Sequence, residues 1–184
     1  QMQRYGLLQA VCDTDVARAD AFGSTYNCNV YCTLEELLAN EKSLDVVAVC
    51  TPNGLHATHS IAILNTGIHV LCEKPMAITT EDCNSMIAAS ETNKKQLFIV
   101  KQNRFNPPVA VVKELLEKNI LGKIYSVQLN CFWNRNDDYY KNSWKGTKQM
   151  DGGTLFTQFS HFIDLLYWMF GDVKNVQAIT ANIA

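Results

Sequence analysis

No run of apolar residues in this chain approaches the roughly 20 that a bilayer crossing needs, and no secretory leader is expected. Neither a membrane partner nor export is expected, and the reading is of a cytoplasmic protein. Basic residues are not in excess either: 16 Lys and Arg against 18 Asp and Glu give a formal charge of −2 and a pI near 6.1. Nucleic acid is therefore not expected as a partner, because phosphate backbones are held by clustered cations. An anionic small molecule would need local cations instead. The seven cysteines include one close pair, Cys28 and Cys32, with no second pair or neighbouring histidine to complete a zinc set, so no metal site is expected. Cys12, Cys50 and Cys72 fall in apolar strand-like runs, where a reduced thiol packs as a small hydrophobe. Internal repeats and low-complexity tracts are absent.

What is present is an ordinary globular composition, 47% apolar and 18% charged over 184 residues, enough to bury a sizeable core. The stretch 46–76 organises the rest. Residues 46–50 are apolar and mostly β-branched, as in a parallel strand covered on both faces. The run stops at Thr51-Pro52-Asn53-Gly54, a corner by residue type. A helix is expected over 59–65 with Gly67 as its terminator, then a strand over 70–72. Glu73-Lys74-Pro75 follows at the carboxyl end of that strand, where open α/β sheets bind ligands. By residue type alone Lys74 is a solvated loop lysine, and its position after a buried strand weakens that reading without reversing it.

Before this crossover, 6–12 reads as a strand ending in Asp13, with a helix opening at Thr14-Asp15. An acid there can accept from ribose hydroxyls and repel a 2′-phosphate, favouring NAD over NADP; the plainer role for Asp13 is a helix N-cap. Residues 30–31 form a short strand, and Thr33 with Glu36 makes a capping box. After the crossover, Thr79 or Thr80 caps a helix ending near Asn93, and 96–101 gives another strand. Next come Gln102, Asn103, Arg104 and a stiff Pro107-Pro108, a turn by composition, and an amphipathic helix from 109. Gly122 is placed as the domain boundary. Residues 124–132 alternate as a strand buried on one face, the expected start of a mostly antiparallel sheet, and 173–183 alternate likewise. Between them, 133–149 is a long polar-aromatic loop whose Arg135, Lys141, Lys145 and Lys148 offer cations to a diphosphate or carboxylate, or simply solvate the surface. A helix over 154–170 follows, with His161 among Phe156, Phe159 and Phe162; a hydrogen-bonded core histidine is the bland alternative.

The string TPNGLHATHSIAILNTGIHVLCEKPM closely resembles the signature of the Gfo/Idh/MocA dehydrogenases. KQNRFNPP, a W-x-R…Y-Y…W-K-G-T pattern and GGTLFTQFSHFIDLL are similar to the branch that oxidises UDP-N-acetylglucosaminuronic acid at its 3-hydroxyl. The resemblance implies an α/β fold. A Rossmann-type NAD-binding domain over 1–122 would precede the start of an α+β substrate and oligomerisation domain over 123–184. It implies that Thr51, Pro52, Asn53, His56, Glu73, Lys74 and Gln102 line the dinucleotide, with Asn103, Arg135, Lys145, Gln158 and Ser160 toward a nucleotide sugar. Lys74 and His161 would be catalytic, His161 preferred as base and Lys74 as its electrostatic partner, although a desolvated lysine can itself be the base. Thr157 departs from the pattern, where inositol-dehydrogenase-like members carry aspartate and the nucleotide-sugar branch asparagine. The family fold also carries a first strand and a G-x-G-x-x-G turn ahead of position 1, so an incomplete copy is expected, binding dinucleotide poorly as written. Dimers or tetramers are expected of an intact chain. Other expectations left open are an inositol- or glucose-type dehydrogenase and a noncatalytic NAD- or sugar-sensing module.

Overall fold

The computed structural model describes residues 6–179 and 181. The chain divides into two compact units, Gln1–Ile99 and Val100–Ala184.

In the first unit strands and helices alternate: β1 (Ala10–Cys12), α1 (Val16–Tyr26), β2 (Asn29–Tyr31), α2 (Leu34–Asn40), β3 (Val46–Val49), α3 (His56–Asn65), β4 (His69–Cys72), α4 (Thr80–Thr92) and β5 (Leu97–Ile99). All ladders among the described residues are parallel: β1 pairs β2, and β4 lies between β3 and β5. Side-chain caps mark the starts of α1, α2 and α4. Asp15, not Asp13, caps α1 by accepting from the Arg18 N–H at 3.1 Å. Thr33 and Thr79 accept from the N–H groups of Glu36 and Asp82. Glu36 reaches back to the Cys32 N–H rather than to that of Thr33, one residue beyond the expected box. Left-handed Asn27 ends α1, and Gly67, at φ 82°, follows α3.

The core of this unit is Val49, Ile63, Leu64, Val70, Cys72 and Met86, at most 2% exposed. Burial of each aliphatic side chain is worth about 1.5–3 kcal/mol. Cys72 behaves as expected, its thiol pushed up to about 11 chiefly by burial. Cys12 and Cys50 do not: both are exposed. Helix α1 lies so close to β2 that a Cβ on Gly23 would stand 2.2 Å from Val30 Cγ2. Buried Glu41, just after α2, accepts from Gln9 at 2.6 Å, Asn29 at 2.7 Å and Tyr31 at 2.9 Å, tying the β1 and β2 segments to the helix.

The second unit holds α5 (Pro107–Glu117), with proline in its first turn as its missing N–H allows, a short α6 (Asp137–Tyr140) and α7 (Ser160–Phe170). The helix expected from 154 instead begins with a π-helical turn over Leu155–Phe159. Residues 124–132 and 173–179 carry no ladder, so the expected antiparallel sheet is not seen among the described residues. The alternating pattern supplies a face, but a strand also needs a partner for its backbone groups, and none of the described residues offers one. The last positions of the second expected strand, 180, 182 and 183, lie outside the described residues. Among the described residues no helix is long and apolar enough to cross a membrane.

Candidate active site

Parallel pairing sets two corners side by side in the first unit. Val49 is in register with Cys72, so the turn after β3 and the turn after β4 leave the sheet at the same edge. The first carries Thr51, Pro52 and Asn53, of which Asn53 is only 6% exposed. The second carries Glu73, half-buried Lys74 and buried Pro75. The Lys74 N–H donates to Glu73 Oε2 at 3.2 Å, and the Lys74–Pro75 peptide is cis.

His56, at the start of α3, lies between these corners at 1% exposure. Its Nδ1 is 2.7 Å from the Pro75 carbonyl oxygen and its Nε2 2.9 Å from that of Thr51. Reading it as a cofactor contact did not anticipate that both nitrogens face backbone. His59, which sequence reasoning passed over, has Nδ1 3.2 Å from Thr51 Oγ1, and burial holds its ring below the ordinary histidine value. The signal was there: positions 56 and 59 share a helix face. Asp13 stands just past β1, its Oδ1 accepting from the Asp15 N–H at 2.9 Å and its Oδ2 from Arg18 at 3.0 Å.

The remaining candidates belong to the second unit. Gln102 is exposed and Asn103 half-buried on a 3₁₀ turn, Gln102–Phe105. Arg104 on that turn grips Asp164 of α7 with both ends of its guanidinium, Nε to Oδ2 at 2.8 Å and Nη2 to Oδ1 at 2.7 Å. Lys101 Nζ stands 3.7 Å from the same carboxylate. Burial raises the Asp164 carboxyl, but the Arg104 hydrogen bonds and the two cations outweigh it and hold it below the ordinary value. Trp168 receives Arg104 at 5.3 Å and Lys113 at 5.1 Å over its ring, while the Lys113 ammonium donates to the Trp168 carbonyl at 3.0 Å. The turn and the helix bearing His161 are thereby locked together. Nothing in the sequence announced the Arg104–Asp164 pair, whose members lie 60 positions apart.

His161 is 9% exposed, and the Ser160 Oγ is buried without a hydrogen-bond partner. A cavity of about 310 Å³ opens in the same unit, lined by Trp133, Arg135, Tyr139, Asp151, Thr157 and Gln158 among others, but not by His161 or Ser160. Arg135 lies 4.6 Å over Trp133 and 4.9 Å over Tyr139, and Lys145 lies 4.1 Å over Tyr139. Arg135, Lys145 and Gln158 thus gather around one aromatic wall, to which Tyr139 and buried Asp151 were not assigned in advance. The π turn, a device frequent at functional sites, carries Thr157 and Gln158 into the cavity. The Thr157 hydroxyl donates to the Gly153 carbonyl at 3.1 Å. Among the described residues no group of three or more His, Cys, Asp or Glu side chains is arranged for a metal ion.

The family model for the oxidoreductase family with an NAD-binding Rossmann fold matches residues 1–101, and that for the GFO/IDH/MocA C-terminal domain matches 109–184. The chain belongs to the Gfo/Idh/MocA oxidoreductases. Its first part is the NAD-binding Rossmann domain of that family. Among solved structures it is similar to the WlbA dehydrogenase of Chromobacterium violaceum in complex with NADH and UDP-GlcNAcA, at 41% identity and TM-score 0.91, covering 96% of this chain and 51% of that one. The Bordetella pertussis WlbA dehydrogenase with the same two ligands matches at 38% identity and TM-score 0.91, again over 96% and 51%. Among curated relatives, the scyllo-inositol 2-dehydrogenase (NADP(+)) IolW of Bacillus subtilis is 31% identical over 82% of this chain and 40% of its own length. The chain thus spans about half of those structures and less of that relative.

Proposed function

We propose that this chain is part of an NAD-dependent dehydrogenase that oxidises a sugar secondary alcohol, the 3-hydroxyl of UDP-N-acetylglucosaminuronic acid, in the cytoplasm and as a homo-oligomer. The observation that carries the reading is the 0.91 TM-score at 41% identity to an enzyme held with NADH and UDP-GlcNAcA. The KQNRFNPP and QFSHFIDLL strings point the same way.

The residues present suit the dinucleotide. Thr51, Pro52, Asn53, Glu73 and Lys74 leave the carboxyl edge of the parallel β3–β4 pair, where doubly wound sheets hold nucleotides. Asp13, at the matching end of β1, presents a half-buried carboxylate suited to ribose hydroxyls, and a 2′-phosphate would meet its charge. Gln102 is assigned to the same ligand. Bound NAD supplies the hydride acceptor.

The chain contributes alignment and proton handling. For the alcohol carbon to release hydride, its hydroxyl must lose a proton, and His161 takes it as general base. Lys74 is the other catalytic candidate, an ammonium able to offset negative charge that develops on an alcohol oxygen. Asn103, Arg135, Lys145, Gln158 and Ser160 hold the nucleotide sugar. The cation-bearing aromatic wall suits a diphosphate or a uronate carboxylate beside a flat base.

Steady-state assays of the full-length protein test this directly. Turnover of UDP-N-acetylglucosaminuronate with NAD is expected. The relation to a scyllo-inositol dehydrogenase supports a second reading, and turnover of inositol alone would replace the first with it.

A further inference from the structure

We propose that His56 is a positioning residue: a ring protonated on both nitrogens that ties the Pro75 carbonyl to the Thr51 carbonyl and so fixes the Lys74 corner against the Thr51 corner. At 1% exposure the ring has no surface left for a ligand, so it acts by holding backbone. The argument turns on hydrogen inventory. Pro75 O at 2.7 Å and Thr51 O at 2.9 Å are both carbonyl oxygens, which only accept. A neutral imidazole carries one N–H, so one of these contacts would press a nitrogen lone pair against an oxygen lone pair inside 3 Å. With two N–H groups both contacts become charge-assisted hydrogen bonds, the stronger kind, in a place water does not reach.

The placement makes this more than packing. Pro75 directly follows Lys74, so fixing its carbonyl fixes the backbone from which the ammonium is carried. Thr51 opens the other corner, and its side chain is held independently by His59. His56 itself begins α3, whose Ile63 and Leu64 are core residues, so the clasp is anchored in the rigid part of the unit. Two loops at adjacent strand ends would otherwise drift separately, and displacing a reacting group by 1 Å can cost about 100-fold in rate.

The effect on rate rests on the proposed role of Lys74; the clasp itself does not. The first measurement therefore uses no substrate. In the full-length protein labelled with ¹⁵N-histidine, through-bond spectra near neutral pH should show His56 with a proton on both nitrogens. A bare ring nitrogen at His56 overturns the proposal. The second uses H56Q, which keeps a single donor nitrogen in place of two. Turnover should fall about 100-fold while NADH affinity, read by fluorescence, stays within about threefold. In a K74M background the same change should add less than about twofold. NADH binding lost in step with rate would make His56 a ligand contact, and a full additional loss on top of K74M would make it merely structural; either result ends the proposal. Should H56Q fail to fold, the wild-type spectrum still decides. Should K74M keep wild-type turnover, the proposed function fails while the spectrum still tests the clasp.

Discussion

Lys74 and His161 carry the chemical proposal, and each has a clean single-site test. His161→Asn removes the proposed base while keeping a polar group, and turnover of the full-length protein should drop about 100- to 10,000-fold. Lys74→Met should cost a comparable factor, in kcat more than in KM, because the interaction it loses strengthens as charge develops. A sensing module would keep its output in both variants. Asp13→Ser should raise the NADP preference relative to NAD, read as the ratio of kcat/KM values, since it removes the charge facing a 2′-phosphate. The place of Asp13, just past the carboxyl end of β1, was legible from its position after an apolar run. The helix start at Thr14-Asp15 was legible too, but the choice of Asp15 over Asp13 as its cap was not, because two aspartates two residues apart offer the same chemistry and only backbone geometry chooses between them.

Elements of the first unit were readable where several weak signals agreed: an apolar run for a strand, a hydroxyl cap at the starts of α2 and α4, a turn residue such as Gly67 after α3. Thr79→Ala should therefore cost about 1 kcal/mol, seen as a lower Tm, by leaving the Asp82 N–H at the start of α4 without its side-chain acceptor. In the second unit the pattern over 124–132 was equally regular and produced no strand, since alternation describes one segment whereas a ladder needs two. The tie between the Gln102–Phe105 turn and α7 was likewise hidden, because a contact between distant positions leaves no mark on local periodicity. Asp164→Asn keeps the shape and one acceptor but drops the charge, and should destabilise by about 1–3 kcal/mol. Its pH signature is fixed in sign. The folded carboxyl sits below its unfolded value, so its contribution is complete above the ordinary carboxylate range, at about pH 4 and up, and is lost as pH falls through the folded value. Urea melts of wild type and Asp164→Asn should converge on the acid side.

Across the whole molecule, Glu41 in the first unit and Asp164 in the second are hydrogen-bonded, largely buried carboxylates held below the ordinary value, Glu41 chiefly by the Asn29 and Tyr31 bonds. They share no partner, so the stability losses of Glu41→Gln and Asp164→Asn should add, and acid sensitivity should ease stepwise as each is replaced. The alternation of strand and helix identified the first unit at this scale. The second was recognisable through its motifs while its pairing was not, because motif residues are specified locally. The place where α1 meets β2 carries a further consequence, for mutational history. With 2.2 Å between Val30 and any methyl added at position 23, a Gly23→Ala lesion leaves a knob with nowhere to go. Revertants selected from such a background should carry a shorter side chain at position 30, and the two sites should drift through sequence space only as a pair.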